Sequence, residues 1–400
     1  MDRRELVFMD STSSKFWRIE LDGDSHTVNY GRTGTDGQTK TKSFSSDEAA
    51  RKDYEKLVNA KLKKGYVDAA SASASTGSGG DELSVLSFRS VMKEDDLSYN
   101  AKTFIGRRVA DYDPDKKPAA EGKTVYRFRS DYDDETCIPH LTHFLETDAA
   151  PDAVGIVIGN WSGEDSDGDP QQVIDLLCEN RDRLESMKAI YLGDIVSEEN
   201  EISWIHQADV SPLLEAFGEL ELLRTRGGND LAINQPKHAK LRGLICESGG
   251  LPAEVVRSIG RSDFPELEHL ELWLGTDEYG GDSSVEDLQP ILSGEMFPKL
   301  KYLGLRNCEF ADDIAAVIVN SPLVKRIETL DLSLGVMTDE GGRALLSLPT
   351  NGVLQHASLH YNYLTSEVTK LLKKLPIKID LSRPSHLDAD EEWRFVAVGE

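Results

Sequence analysis

From about residue 151 onward, leucine-type residues return in the pattern Leu-x-x-Leu-x-Leu-x-x-Asn/Cys. Leu300, Leu303, Leu305 and Cys308 fill it completely, and Leu354, Ala357, Leu359 and Asn362 fill it with alanine at one position. Leu267, Leu270 and Leu272, and Ile327, Leu330 and Leu332, supply its first part. Weaker copies put Ile156, Ile190, Leu223, Leu244 and Ile379 at the central position. Alternation within each copy is that of a short strand with one buried face. The copies return at intervals in or near the roughly 20–29 residues of such repeats, the longer intervals holding insertions. Helical segments fit between copies, for example Asp312 to Val319 and Asp339 to Leu346. A piece this small cannot bury its apolar side alone, so successive copies stack and share one core. The expectation is a solenoid over residues 151–385, with 83–150 as its N-terminal cap and 386–400 as a tail.

The chain opens differently. Glu5 to Met9, Lys15 to Leu21, Thr27 to Thr33 and Gln38 to Phe44 read as strands separated by Gly- and Asp-rich turns. Ser45 and Glu48 form a capping-box pattern before a helix in which Ala50, Tyr54, Leu57, Val58 and Leu62 share one face. Lys61, Lys63 and Lys64 suit the last turn and Gly65 the stop. Residues 1–68 therefore predict a small sheet-plus-helix domain. Residues 69–82 are mostly Ser, Ala and Gly, with too little apolar surface to offset the entropy of ordering, and predict a flexible linker. Within 83–150, Val125 to Arg129 alternates like a strand and Ile138 to Leu145 suits a short helix.

Charge separates the two parts. The formal net charge is −26, and the first 68 residues are close to neutral, so nearly all of it lies beyond them. An acidic body repels phosphate backbones; any nucleic-acid contact belongs to the opening domain. The four cysteines are widely spaced with no Cys-x-x-Cys pair, which argues against a disulfide framework and for a reducing cytoplasm. No signal peptide is read at the start, and no run of about 18 apolar residues predicts a membrane span.

Lys15-Phe16-Trp17, Tyr30-Gly31-Arg32-Thr33-Gly34, Lys40-Thr41-Lys42-Ser43-Phe44 and Lys63-Lys64-Gly65-Tyr66 occur in the order and spacing of a WGR domain, which residues 1–68 resemble. In poly(ADP-ribose) polymerases that carry it, the domain contacts DNA ends and relays the signal to a catalytic domain. The family's Trp-Gly-Arg falls on Tyr30, Gly31 and Arg32. Tyrosine stacks with less area than tryptophan. Residues 83–400 resemble a family of bacterial leucine-rich-repeat proteins. The matching blocks are Glu201-Ile202-Ser203-Trp204-Ile205, Glu247-Ser248-Gly249-Gly250-Leu251-Pro252, Leu270-Glu271-Leu272-Trp273-Leu274-Gly275-Thr276 and the tail Arg394-Phe395-Val396-Ala397-Val398-Gly399-Glu400. The fold class expected is α/β: a WGR-like domain followed by a leucine-rich-repeat solenoid, or horseshoe.

Candidate sites follow from that frame. In the opening domain, Tyr30, Gly31, Arg32, Lys40 and Lys42 are candidates for nucleic acid. Lys40 and Lys42 are two apart on a strand and share a face. In the repeats, the residues flanking each buried anchor line the inner curve: Tyr191, Arg224, Arg226, Glu247, Glu271, Trp273, Tyr302, Arg306, Asp331, His356 and His360. Aromatics mixed with arginine and acids suit a protein or peptide partner. Glu164, Asp165, Asp167 and Asp169, then Asp194, Glu198, Glu199 and Glu201, then Asp277, Glu278 and Asp282, stack as an acidic rim, without the spacing of a calcium loop. Cys137-x-x-His140-x-x-His143 offers metal-type ligands but lacks a fourth at a recognised spacing. Sequence patterns of hydrolases, nucleotide-binding loops and zinc proteases are absent. The reading is a non-catalytic adaptor without cofactor or metal, its inner curve holding a protein or peptide and its WGR-like domain a second ligand. The alternative is an accessory protein binding nucleic-acid ends.

Overall fold

A computed structural model describes residues 2–10, 13–32, 38–44, 46–63, 67–68, 97–118, 124–130, 136–163, 168–234, 236–349, 352–386 and 393–399. The chain separates into two compact units, and the described residues of the first lie within 2–68 and those of the second within 97–399. The expected cap at Ser45, stop at Gly65, linker 69–82 and start of the solenoid cap fall outside the described residues.

The first unit is an antiparallel sheet of β1 (Asp2–Asp10), β2 (Ser13–Asp22), β3 (Ser25–Arg32), β4 (Gln38–Ser43) and β5 (Val67–Asp68), ordered β4-β3-β2-β1-β5. The fifth strand, too short to show a pattern, was not expected; it pairs with β1 through Leu6 and Val7. Helix α1 (Asp47–Lys63) carries Asp47 and Glu48 in its first turn, where acids favour the helix dipole. Its Ala50, Tyr54 and Val58 pack on Leu6, Trp17, Ile19, Leu21 and Val28 from alternate positions of the sheet.

The second unit is mixed α/β, built on a twelve-stranded sheet. Its strands are β6 (Thr103–Phe104), β7 (Arg107–Asp111), β8 (Thr124–Phe128), β9 (Gly155–Ile158), β10 (Ala189–Leu192) and β11 (Leu222–Arg226). They continue with β12 (Gly243–Glu247), β13 (His269–Gly275), β14 (Tyr302–Cys308), β15 (Thr329–Asp331), β16 (His356–Ser358) and β17 (Lys378–Asp380). Spatial order follows chain order, and every pairing from β7 to β17 is parallel; β6 alone runs antiparallel to its neighbour. The sequence anchors stand in one hydrogen-bonded row: Ile156, Ile190, Leu223, Leu244, Leu270, Leu303, Leu330, Ala357 and Ile379.

Helices α2 (Ile138–Glu146), α3 (Gln171–Glu179), α4 (Ser211–Ala216), α5 (Ala253–Ile259), α6 (Val285–Leu292), α7 (Ala311–Ile318), α8 (Asp339–Ala344) and α9 (Ser366–Leu372) lie between strands. Buried residues of these connecting segments and the anchor side of the sheet form one continuous core; Leu177, Val256, Ile291 and Ile314 meet Leu223, Leu270 and Leu303 in it. Each fully buried leucine stabilises the fold by roughly 1.5–3 kcal/mol.

The row starts earlier than the leucine pattern predicts, because Tyr126 of β8 pairs with Ile156. Around it Tyr112, Tyr126, Phe128 and Phe144 pack in tilted and edge-to-face pairs with ring centroids 5.2–5.7 Å apart. Aromatic rings do the work of leucines here, so the repeat pattern does not register them. Among the described residues, no helix is long and apolar enough to cross a membrane.

Candidate functional site

Side chains alternate across a strand, so residues flanking the anchors point away from the helices. The sequence places there the solvent-facing partner surface, and the structure corrects that expectation. Tyr191, Arg224, Arg226, Glu247, Glu271, Trp273, Tyr302, Arg306, Asp331 and His360 are buried, and His356 is half-buried. Parallel strands sit about 4.8 Å apart, so neighbouring charges in the row reach each other before they reach water.

Arg224 and Arg226 clamp Glu247 at 2.6 and 2.9 Å, and the Arg224 guanidinium lies 4.3 Å from the centre of the Tyr191 ring. Two strands on, Arg306 donates to Glu271 at 2.7 Å and lies 3.6 Å from Asp331. The Trp273 indole donates to Glu271 at 2.8 Å, and the Tyr302 hydroxyl donates to Asp331 at 3.0 Å. His269 stacks on Tyr302 with ring centres 4.0 Å apart. At the other end, Arg127 pairs with Asp194 at 2.8 Å. Burial works to raise the Glu271 carboxyl, but Arg306 and the hydrogen bonds from His269 and Trp273 outweigh it and hold it well below the usual range. Gly304 makes the crossing possible: a Cβ there would sit 3.0 Å from the Tyr302 ring and 3.1 Å from Glu271 Cγ.

Two segments lie against this face. Phe104 rests 5.9 Å, ring to ring, from Tyr191, and the Ala101 amide donates to Asp194 at 3.0 Å. From the far end of the unit, Val398 packs with Ile202, Trp273 and Leu334, and Leu97 packs beside them. Four residues at equivalent positions of β14 to β17 and the turns after them pass through the left-handed region: Asn307 (φ 50°), Leu334 (67°), Tyr361 (61°) and Arg383 (50°). Bulky residues avoid that region, and such strain costs of order 1–3 kcal/mol each.

Among the described residues, several acids of the expected rim are taken up by neighbouring groups. Glu164, Asp165 and Asp167 lie outside the described residues. Asp194 is buried on Arg127, Glu199 accepts from Val196 and Arg129, and Asp282 accepts from the Ala253 amide at 2.7 Å, at the start of α5. In the Cys137–His140–His143 stretch, His143 Nδ1 sits 2.8 Å from the Tyr112 hydroxyl, while burial pushes the Cys137 thiol up to about 12. No cluster of three His, Cys, Asp or Glu suited to a metal occurs among the described residues. A cleft lined by Asn160, Trp161, Glu199, Asn200 and His206 encloses about 80 Å³, small beside the roughly 300–1,000 Å³ of ligand pockets.

In the first unit, Lys40 and Lys42 share a face, and their strand pairing with Val28 and His26 makes it the side packed by α1. Lys42 is paired with Asp53 of that helix at 3.2 Å. The His26 hydrogen bond is the main force holding the Asp53 carboxyl low. Exposed Lys40 lies 5.9 Å from the centre of the Tyr30 ring, and the Tyr30 hydroxyl donates to Gln38 at 3.2 Å. Gly31 is the penultimate residue of β3; the Arg32 side chain is outside the described residues.

Residues 3–73 match the WGR domain family. The same region is 44% identical over 64 residues to the uncharacterized protein YfeS of Escherichia coli and 42% identical over 67 residues to protein YehF of that organism. These stretches are 16% and 17% of this chain and 26% and 24% of the two relatives, so the chain spans about a quarter of the length of the curated relatives it matches. A crystal structure of a Bacteroides fragilis protein superposes with a TM-score of 0.70 at 33% identity, covering 100% of both chains. The protein carries an N-terminal WGR domain. Along its whole length it belongs to one family with the Bacteroides fragilis protein.

Proposed function

We propose that the second unit is a leucine-rich-repeat horseshoe and that the protein is a non-catalytic adaptor, holding a protein or peptide partner beside a second ligand of the WGR domain. One observation carries the reading. Tyr99, Trp204, Trp393 and Phe395 are 58–73% exposed, in a unit whose other large apolar side chains are almost all buried. All four lie on segments tied by hydrogen bonds to Asp194, Asn229 or Tyr363, residues that follow the carboxyl ends of strands. Exposed aromatics of this kind anchor protein interfaces. The buried charged face leaves this edge, and not the sheet surface, as the place for a partner.

The test uses the full chain as bait against lysate of its source cell, beside a Trp204→Ala/Trp393→Ala/Phe395→Ala variant. Specific partners should be lost by the variant while its urea midpoint stays unchanged; equal recovery would overturn the reading. A second reading, binding of nucleic-acid ends by the WGR domain, is favoured by Lys40 lying exposed beside Tyr30. Titration with a 5′-phosphorylated duplex at two salt concentrations tests it. Binding should weaken at high salt and in Lys40→Ala, and its absence at low salt would remove this reading.

A further inference from the structure

Residues 395–399 are seated as a ligand is seated. Val396 and Val398 point inward and are buried, while Phe395 and Ala397 between them are exposed, the alternation of an extended peptide on a surface. Its backbone is read at almost every residue. The Tyr363 hydroxyl accepts from the Phe395 amide at 3.2 Å and donates to its carbonyl at 3.1 Å. The Ala397 amide donates to the Leu334 carbonyl at 2.8 Å. Asn307 accepts from the Val398 amide at 3.0 Å and donates to the Val398 carbonyl, gripping one residue through both peptide groups. The Ser203 hydroxyl donates to the Gly399 carbonyl.

The seat is assembled from separate repeats. Asn307, Leu334 and Tyr361 hold equivalent positions in register across β14, β15 and β16, and all three contact or adjoin the segment. The seat thus gathers groups from separate strand ends onto one extended segment. Its selectivity is legible. Ile202, Trp273 and Leu334 close around a side chain of valine size. At the next position a Cβ would stand 3.3 Å from the Tyr279 ring, which favours glycine.

We propose that this trough is a receptor for an extended peptide with β-branched residues two apart followed by glycine, occupied here in cis by residues 395–399, so that a partner's segment of this pattern enters by displacing the tail. The proposal rests on the interaction reading above and makes it specific. Exposed Trp393 and Phe395 at the rim give an incoming partner its first contact.

The probe is a fluorescein-labelled, C-terminally amidated peptide Trp-Arg-Phe-Val-Ala-Val-Gly, read by anisotropy against the full chain. Val396→Asp/Val398→Asp unseats the tail without shortening it. This variant should bind the peptide at least about tenfold more tightly than the unaltered chain, a gap of about 1.4 kcal/mol. Adding Asn307→Ala should remove most of that gain, and the peptide carrying Val396→Asp and Val398→Asp should not bind. Equal binding by both chains, or none by a folded unseated variant, would overturn the proposal. Should the variant fail to fold, hydrogen exchange on the unaltered chain decides. Excess peptide should speed exchange at the Ala397 and Val398 amides, and unchanged rates would overturn it. Failure of these arms with continued aromatic-dependent capture of partners would sink the trough and leave the adaptor reading standing.

Discussion

From β9 to β15 the two faces of the sheet are equally dry, and they are dry for opposite reasons. On the helix side, Ile190, Leu223, Leu270 and Leu303 are buried because water gains from their removal. On the other side, Arg224, Arg226, Glu247, Glu271, Arg306 and Asp331 are buried because each finds an opposite charge in a neighbouring strand. Apolar contacts tolerate substitution by another apolar side chain of similar volume. Paired charges tolerate loss of both members better than loss of one, since a survivor keeps its desolvation penalty with nothing to offset it.

The comparison breaks most sharply at Arg306. Arg306→Ala takes from Glu271 and Asp331 the guanidinium they share, and stability should fall by about 3–5 kcal/mol. On the apolar face, Leu303→Ala should lower it by about 2–5 kcal/mol. Urea unfolding gives both values. The difference lies in rescue: adding Glu271→Leu and Asp331→Leu to Arg306→Met should recover much of the loss, as no second change near Leu303→Ala would. Absence of rescue would show that the charged face is held by packing and not by pairing.

The leucine face was legible because its residues recur at equivalent positions, and nothing but the chain's own beat was needed to place Ile156 opposite Ile190 and Leu303 opposite Leu330. The alternation from Val125 to Arg129 marks a strand, but its place in the row escaped because its core side chains are aromatic. Burial of the other face escaped for a different reason. Arginine and glutamate at alternate strand positions read the same whether water or a neighbour receives them. The missed signal was the placing of signs: Arg226, Glu247, Trp273 and Arg306 follow one another in one row, and in the next Arg224, Glu271 and Asp331 stand two strands apart with Ile245 and Gly304 between them. The seat of residues 395–399 was beyond reach of pattern, since Ser203, Asn307, Leu334 and Tyr363 meet only after the repeats stack.

Acid sharpens the contrast more gently. The Glu271 carboxyl is held below its ordinary 4.5, so its contribution is fully present above that pH and is lost as the medium becomes more acidic. The melting temperature should fall as the pH drops from about 5 to about 3. Glu271→Gln should melt lower at neutral pH and decline less on acidification. Parallel slopes in the two proteins would show that acid acts elsewhere.

The smallest effect belongs to the same chemistry at a surface. Lys42 and Asp53 of the WGR domain approach to 3.2 Å, as close as many buried pairs, but the lysine is 60% exposed. Water and salt already satisfy such a charge when its partner is gone, so Lys42→Ala should change stability by no more than about 1 kcal/mol. Asp53 keeps its bond to His26 at 2.9 Å, which lessens the loss further. Raising the salt concentration should shrink even this difference. A fall comparable to that of Arg306→Ala would mean that exposure is not what separates weak pairs from strong ones in this protein.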